Sequence, residues 1–168
     1  SPYGTGSHPQ DAALVMPVFF EKELIAYTAI KAHWLDIAGK EPYSTDTVDV
    51  FQEGTVYPGV KLYSKGELVE DIYKMCLANT RVPNAVAGDI NAQAIGVRAG
   101  ATALKKIVSK YGLKKFRETV ESIFDAGEKI VKNYLKKIPN GSYSGSGQMD
   151  SNGVEEGVVP FDLTVIIE

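Results

Sequence analysis

The chain has 168 residues, 44% of them hydrophobic and 23% charged, with a net charge of −3 and one cysteine. A chain of this length supports one domain that buries about 70% of its unfolded surface, and the composition excludes disordered, coiled-coil and collagen-like classes. The lone Cys76 excludes an internal disulfide and, set in the apolar stretch Ile72 to Leu77, reads as a buried, inert thiol.

Charge is distributed unevenly. Residues 1–80 carry 6 Lys+Arg against 11 Asp+Glu, residues 81–140 carry 12 against 5, and residues 141–168 carry none against 5. The basic stretch interleaves with a helical apolar stripe and has no aromatic-plus-basic motif beside it, so no nucleic-acid partner is expected. The longest apolar run, Ala12 to Phe20, falls short of the ~20 residues a membrane helix needs. No charged-then-apolar leader opens the sequence, and a cytoplasmic protein without a membrane partner is expected.

Ser1 to Gln10, with two prolines and two glycines, reads as a loop. Ala12 to Phe20 and Leu24 to Ala32 are apolar, β-branched or aromatic runs joined by Glu21-Lys22-Glu23, the pattern of a hairpin. They are apolar at nearly every position, which predicts cover on both faces. A polar loop follows from Gly39 to Asp49, then a shorter hairpin through Val60 to Val69 turning at Ser64-Lys65-Gly66. From about Pro83 the period changes. Ile90, Ala94, Val97, Ala101, Leu104, Val108 and Tyr111 recur at helical spacing, Gly112 stops the helix, and a second stripe runs through Phe116, Val120, Ile123, Gly127, Ile130 and Tyr134. The tight connection predicts an antiparallel pair packed stripe to stripe. Ser142 to Gly157 reads as Gly/Ser-rich turn, and Val158 to Ile167 as a last strand running into the terminus, the pattern of a segment taken from a longer chain.

The expected fold is therefore α+β: β-hairpins with a long antiparallel helix pair, one segment over 1–168 of a larger multi-layer subunit. Residues 1–80 are mainly β, 81–140 a helical hairpin and 141–168 loop and strand.

The two histidines fall where a hairpin brings them together. If the first two strands pair around residue 22, position 11 opposes position 33 to within a residue, so His8, Asp11 and His33 converge. Two imidazoles and a carboxylate suit an open zinc, manganese or iron(II) site, and Asp36 could accept from an imidazole and fix its tautomer. The same residues also read as a solvated loop histidine and a satisfied strand-end histidine, and spacing alone leaves both readings standing. Ser7, His33 and Asp11 compose a triad on paper, without a Gly-x-Ser-x-Gly elbow to support it. Tyr3-Gly4-Thr5-Gly6 lacks the preceding strand, lysine and following helix of a phosphate loop. Glu53, in Phe51-Gln52-Glu53-Gly54, is either a base near a site or part of a turn.

Gly6-Ser7-His8-Pro9-Gln10-Asp11, Pro17-Val18-Phe19 and Ala32-His33-Trp34-Leu35-Asp36-Ile37-Ala38-Gly39 resemble the hydantoinase B family. Phe51-Gln52-Glu53-Gly54, Pro58-Gly59-Val60-Lys61-Leu62-Tyr63, Asn79-Thr80-Arg81-Val82-Pro83 and Gly88-Asp89-Ile90-Asn91-Ala92-Gln93 extend the likeness over most of the chain. The resemblance implies a divalent transition metal (zinc, manganese or iron) on His8, Asp11 and His33; from the residues themselves, Asp36 and Glu53 are the candidate catalytic carboxylates. It further implies part of the B-type subunit of an ATP-dependent hydrolase of hydantoin- or 5-oxoproline-type cyclic amides. The substrate would be phosphorylated by a hydantoinase A-like partner that alone holds ATP and magnesium. The alternatives are a subunit of an ATP-dependent acetone- or acetophenone-type carboxylase, acting on a ketone-derived substrate, or a metal-free assembly domain. The family's glycine pair after Asp36-Ile37 is here Ala38-Gly39, which predicts a reshaped turn.

Overall fold

The computed structural model of the chain describes residues 8–42 and 46–168. Most of the N-terminal loop, including Tyr3 to Gly6 and Ser7, lies outside the described residues. The fold mixes helix and antiparallel hairpins, and the chain falls into two units, Ser1–Lys105 and Lys106–Glu168.

In the first unit, β1 (Asp11–Phe20) and β2 (Glu23–His33) form the expected hairpin, closed by a tight turn in which Glu21 takes a left-handed φ of 55°. A bulge between Val18 and Phe19 shifts the register near the turn. The expectation of cover on both faces is corrected. Ala12, Leu14 and Ala32 pack toward the core, whereas Val15, Phe19 and Tyr27 are exposed, so the strands alternate in and out despite their apolar composition. A short helix, α1 (Val50–Glu53), capped by the Asp49 carboxylate on the Phe51 N–H, precedes the small hairpin β3 (Tyr63–Ser64) and β4 (Glu67–Leu68). Helix α2 (Glu70–Ala78) buries Cys76, which is free.

Helix α3 (Pro83–Tyr111) starts at a proline, whose fixed φ suits a first helical turn. Its stripe is buried at Ile90, Ala94, Val97, Ala101 and Val108. Within the first unit that stripe lies on the β1–β2 hairpin. Thr28 Oγ1 donates to the Val97 carbonyl at 2.9 Å, and a Cβ on Gly96 or Gly100 would meet the Ile30 or Thr28 side chain at 2.2 or 3.0 Å. The small residues thus admit a strand pair to the helix backbone. The core proper gathers Trp34, Ile37, Leu62, Cys76, Val86 and Ile90.

In the second unit, Gly112, at φ 83°, leads into α4 (Leu113–Leu135). The expected burial of the Phe116 to Tyr134 stripe is not found among the described residues: α4 has no buried residue, and Ile123, Phe124, Ile130 and Tyr134 are all more than half exposed. Ser142 to Gly157 is corrected from turn to strand: β5 (Gly141–Ser151) pairs antiparallel with β6 (Glu156–Ile167). The Phe161 ring covers its cross-strand partner Gly147, within 2.6 Å of where a Cβ would stand, and so supplies the packing that glycine lacks. Among the described residues no helix is long and apolar enough to cross a membrane.

The two stripes differ in their expected response to truncation. Ile90→Val, at a site 1% exposed, should lower stability by about 1 kcal/mol. Phe124→Ala, at a site 68% exposed, should change it by less than about 0.5 kcal/mol. Denaturant titration of both variants checks the difference.

Candidate functional site

The strand register pairs Asp11 with His33. Just before β1 the chain folds back, with the Asp11 N–H donating to the His8 carbonyl at 3.2 Å and the Gln10 carbonyl accepting from Ala12 and Trp34 at 2.8 and 3.0 Å. This turn ties the start of β1 to the end of β2 and brings His8 onto the Asp11–His33 pair. The imidazole centroids of His8 and His33 are 5.0 Å apart, and His8 Nε2 lies 3.5 Å from Asp11 Oδ2. All three side chains of the expected metal set are thus neighbours.

A fourth group, not anticipated, joins them. Lys31 lies two residues before His33, on the same face of β2, and its Nζ sits 2.7 Å from Asp11 Oδ2. It is the diagonal cross-strand neighbour of Asp11. The strand period of two places it there, and reading only for ligand-type residues passed over it.

A first-row divalent ion with bonds of about 2.1 Å holds its ligand atoms roughly 3–3.5 Å apart, so the His8–Asp11 spacing and the donor chemistry both suit such an ion. The lysine ammonium occupies the carboxylate oxygen that an ion would use. Among the described residues no group of three His, Cys, Asp or Glu side chains is placed to hold a metal ion. Lys31 and His8 both stand against Asp11 Oδ2 in this arrangement.

The two candidate catalytic carboxylates lie elsewhere in the network. Asp36, 1% exposed, is held by the Arg81 guanidinium, with Nη2 at 3.0 Å from Oδ1 and Nε at 3.1 Å from Oδ2. The backbone N–H groups of Arg81 and Ala38 and the Thr80 hydroxyl complete its hydrogen bonds. Its carboxylate therefore fastens the end of β2 to the loop before α3. Arg81 also donates to the Gly39 carbonyl. Glu53 ends α1, in a segment bound to the chain after Asp36: Lys40 N–H donates to Gln52 O at 2.7 Å and Thr55 N–H to Ile37 O at 2.8 Å. Gly54 makes that approach possible. At φ 123° it holds a conformation that side chains resist, and a Cβ there would stand 2.6 Å from the Ile37 carbonyl. Ala38 takes φ 66°, a conformation glycine adopts more readily.

Two further residues organise the site from behind. Gln93, 3% exposed on α3, accepts from Trp34 Nε1 at 3.0 Å and donates to the Ala12 and Ile30 carbonyls at 2.9 and 3.0 Å. One amide thereby joins both strands and the tryptophan next to His33. A polar residue on an apolar helical stripe was the available signal for it. Tyr57 stacks edge-on to Trp34 at 5.9 Å, and burial, followed by the neighbouring Cys76 thiol, pushes its phenol above the ordinary tyrosine range. These side chains, with Asp11 and Lys31, border a cavity of about 300 Å³.

The family model for hydantoinase B/oxoprolinase matches residues 1–168. The chain belongs to this family. It is 35% identical over 153 residues to a protein assigned as the B-type subunit of a D-/L-hydantoinase in Pseudomonas sp. (strain NS671), covering 89% of this chain and 26% of that protein. It is 31% identical over 165 residues to the beta subunit of the caprolactamase of Pseudomonas jessenii, covering 97% of this chain and 28% of that one. The crystal structure of the ATP-dependent caprolactamase from Pseudomonas jessenii superimposes with a TM-score of 0.91 at 30% identity, over 99% of this chain and 29% of that chain. This family member thus spans about a quarter of the length of these relatives.

Proposed function

We propose that this chain is part of the metal-containing B-type subunit of an ATP-dependent hydrolase of cyclic amides, acting on a substrate phosphorylated by an A-type partner. The observation that carries the reading is the pairing of Asp11 with His33, with His8 folded onto both beside the Trp34–Tyr57 cavity. Higher identity to a hydantoinase subunit and a caprolactamase subunit, 35% and 31%, than to the acetophenone carboxylase delta subunit of Aromatoleum aromaticum, 25%, supports hydrolase over carboxylase chemistry.

His8, Asp11 and His33 would hold the ion, which when bound supplies a Lewis acid and an acidified water. The chain's own residues do the rest. The His8 turn and the β1–β2 register fix the two imidazoles and the carboxylate against one another, so little reorganisation is needed when a substrate arrives. Lys31 neutralises Asp11 until the carboxylate is engaged, and its released ammonium is then available to the negative charge of a phosphorylated substrate. Asp36 and Arg81 hold the backbone that follows His33, which makes Asp36 a positioning residue in this scheme. Glu53 is retained as a candidate base, carried on the turn that packs against Ile37–Lys40.

The nucleotide belongs to the partner, because the lysines of residues 105–115 are strung along a helix and its connector and offer no phosphate cradle. The chain alone, mixed with ATP and magnesium, should release no phosphate. The complete protein with its A-type partner should open a lactam or hydantoin ring with ATP consumption. Phosphate release by the chain alone would contradict this division of labour, as would ring opening by the complete complex without ATP.

A further inference from the structure

The candidate cluster sits at the open end of its hairpin. Asp11 and His33 form the pair farthest from the turn at Glu21 and Lys22, and a bulge between Val18 and Phe19 interrupts the ladder in between. Element ends held only by a ladder open most readily, so a turn at the far end does little to protect this one. Asp11, Lys31 and His33 nevertheless share one face there, opposite Ala12, Leu14 and Ala32, which pack toward the core. Their mutual placement depends on the two strands staying paired at that end.

Gln93 of α3 bonds to both strands from the core side. Its amide nitrogen donates to the Ala12 and Ile30 carbonyls, and its oxygen accepts from Trp34 Nε1. An indole N–H can only donate and a carbonyl can only accept, so the orientation of this amide is fixed and both of its N–H groups are used. Each partner adjoins a member of the cluster in sequence: Ala12 follows Asp11, Ile30 precedes Lys31 and Trp34 follows His33. Close approach of α3 permits the reach, since a Cβ on Gly96 would stand 2.2 Å from Ile30 Cδ1. Burying an amide beside Ile90, Ala94 and Val97 is costly unless its hydrogen bonds are made, and here they are made to the open end of the hairpin.

We infer that Gln93 is a positioning residue for the cluster of His8, Asp11, Lys31 and His33, clamping the open end of the hairpin so that Asp11 stays opposite His33. This rests on the reading above that the cluster is the working site, and deepens it by naming the side chain that holds its two strands together. Gln93 acts through the backbone of β1 and β2. Its loss should therefore loosen one end of the hairpin selectively, where loss of an ordinary core residue weakens both ends alike.

Site-resolved amide hydrogen exchange on the chain, with a chelator present so that metal contributes nothing, tests this. Gln93→Met keeps the length of the side chain and removes all three hydrogen bonds. Protection of the amides of residues 12–14 and 30–34 should fall at least about tenfold further than that of residues 18–20 and 24–27. Ile90→Val, a core truncation with no bond to the strands, should lower both groups in parallel. The chain has two histidines and one tryptophan, so their side-chain resonances are readily assigned. The nuclear Overhauser effect between the His8 and His33 rings, whose centroids stand 5.0 Å apart, should weaken in Gln93→Met and persist in Ile90→Val. If Gln93→Met does not fold, Gln93→Glu takes its place: it keeps the acceptor for the Trp34 indole, gives up strand donors, and should show the same selective loss. A parallel fall at both ends in the folded variant, unchanged protection at the open end, or an undiminished His8–His33 effect would each overturn the assignment. No metal, nucleotide or substrate enters the measurement, so its failure leaves the hydrolase reading to be decided by the ATP and metal experiments.

Discussion

Replacing Arg81 by alanine is expected to cost about 3 kcal/mol of folding stability. Asp36 is 1% exposed, and the Arg81 guanidinium supplies its counter-charge through both carboxylate oxygens. The alanine variant leaves Asp36 with backbone N–H donors and a hydroxyl but no cation, and a buried charge in that state is costly. It also removes the bond to the Gly39 carbonyl, so the turn after Ile37 loses a second tie. Arg81→Lys keeps the charge but loses the planar fork, and should recover only part of the loss. Asp36→Asn in the Arg81→Ala background should be less destabilised than Arg81→Ala alone, because the orphaned charge is gone. Urea titrations of the three variants check this ordering. A loss below about 0.5 kcal/mol in Arg81→Ala would show the pair to be worth no more than an exposed one.

The consequence reaches the site. Asp36 stands three residues beyond His33, and the Arg81 clasp holds the segment through which β2 leaves the histidine. The elements that position the candidate ligands are therefore the β1–β2 register, the His8 turn and this clasp.

How much of this could be read from residues alone differs by element. The first hairpin was legible because two β-branched runs flank a three-residue polar turn, and the Asp11–His33 pairing follows from simple counting. The long helix was legible from its apolar period, and its break from Gly112. What lies against that helix was not. Periodicity shows that a stripe seeks cover but not which surface provides it, and Gly96 and Gly100 gave the better clue, since they admit Ile30 and Thr28. The β5 strand was hidden by its Gly and Ser content, because its support comes from Phe161 across the sheet and not from its own side chains. Lys31 and Arg81 escaped notice for a related reason. Both act through partners 20 and 45 positions away, and only the fold brings those partners near.

The metal content of the folded chain is the most direct measure of the candidate site. Purified in the presence of zinc, manganese and iron(II), the wild-type chain should retain one divalent ion, and His33→Ala should retain at least about tenfold less under the same conditions, since removing one of three protein ligands leaves too few to hold it. Elemental analysis after gel filtration, with circular dichroism to show that both proteins are folded, reads the difference. Metal held equally by wild type and His33→Ala, or none held by a folded wild type, would contradict a metal centre on His8, Asp11 and His33.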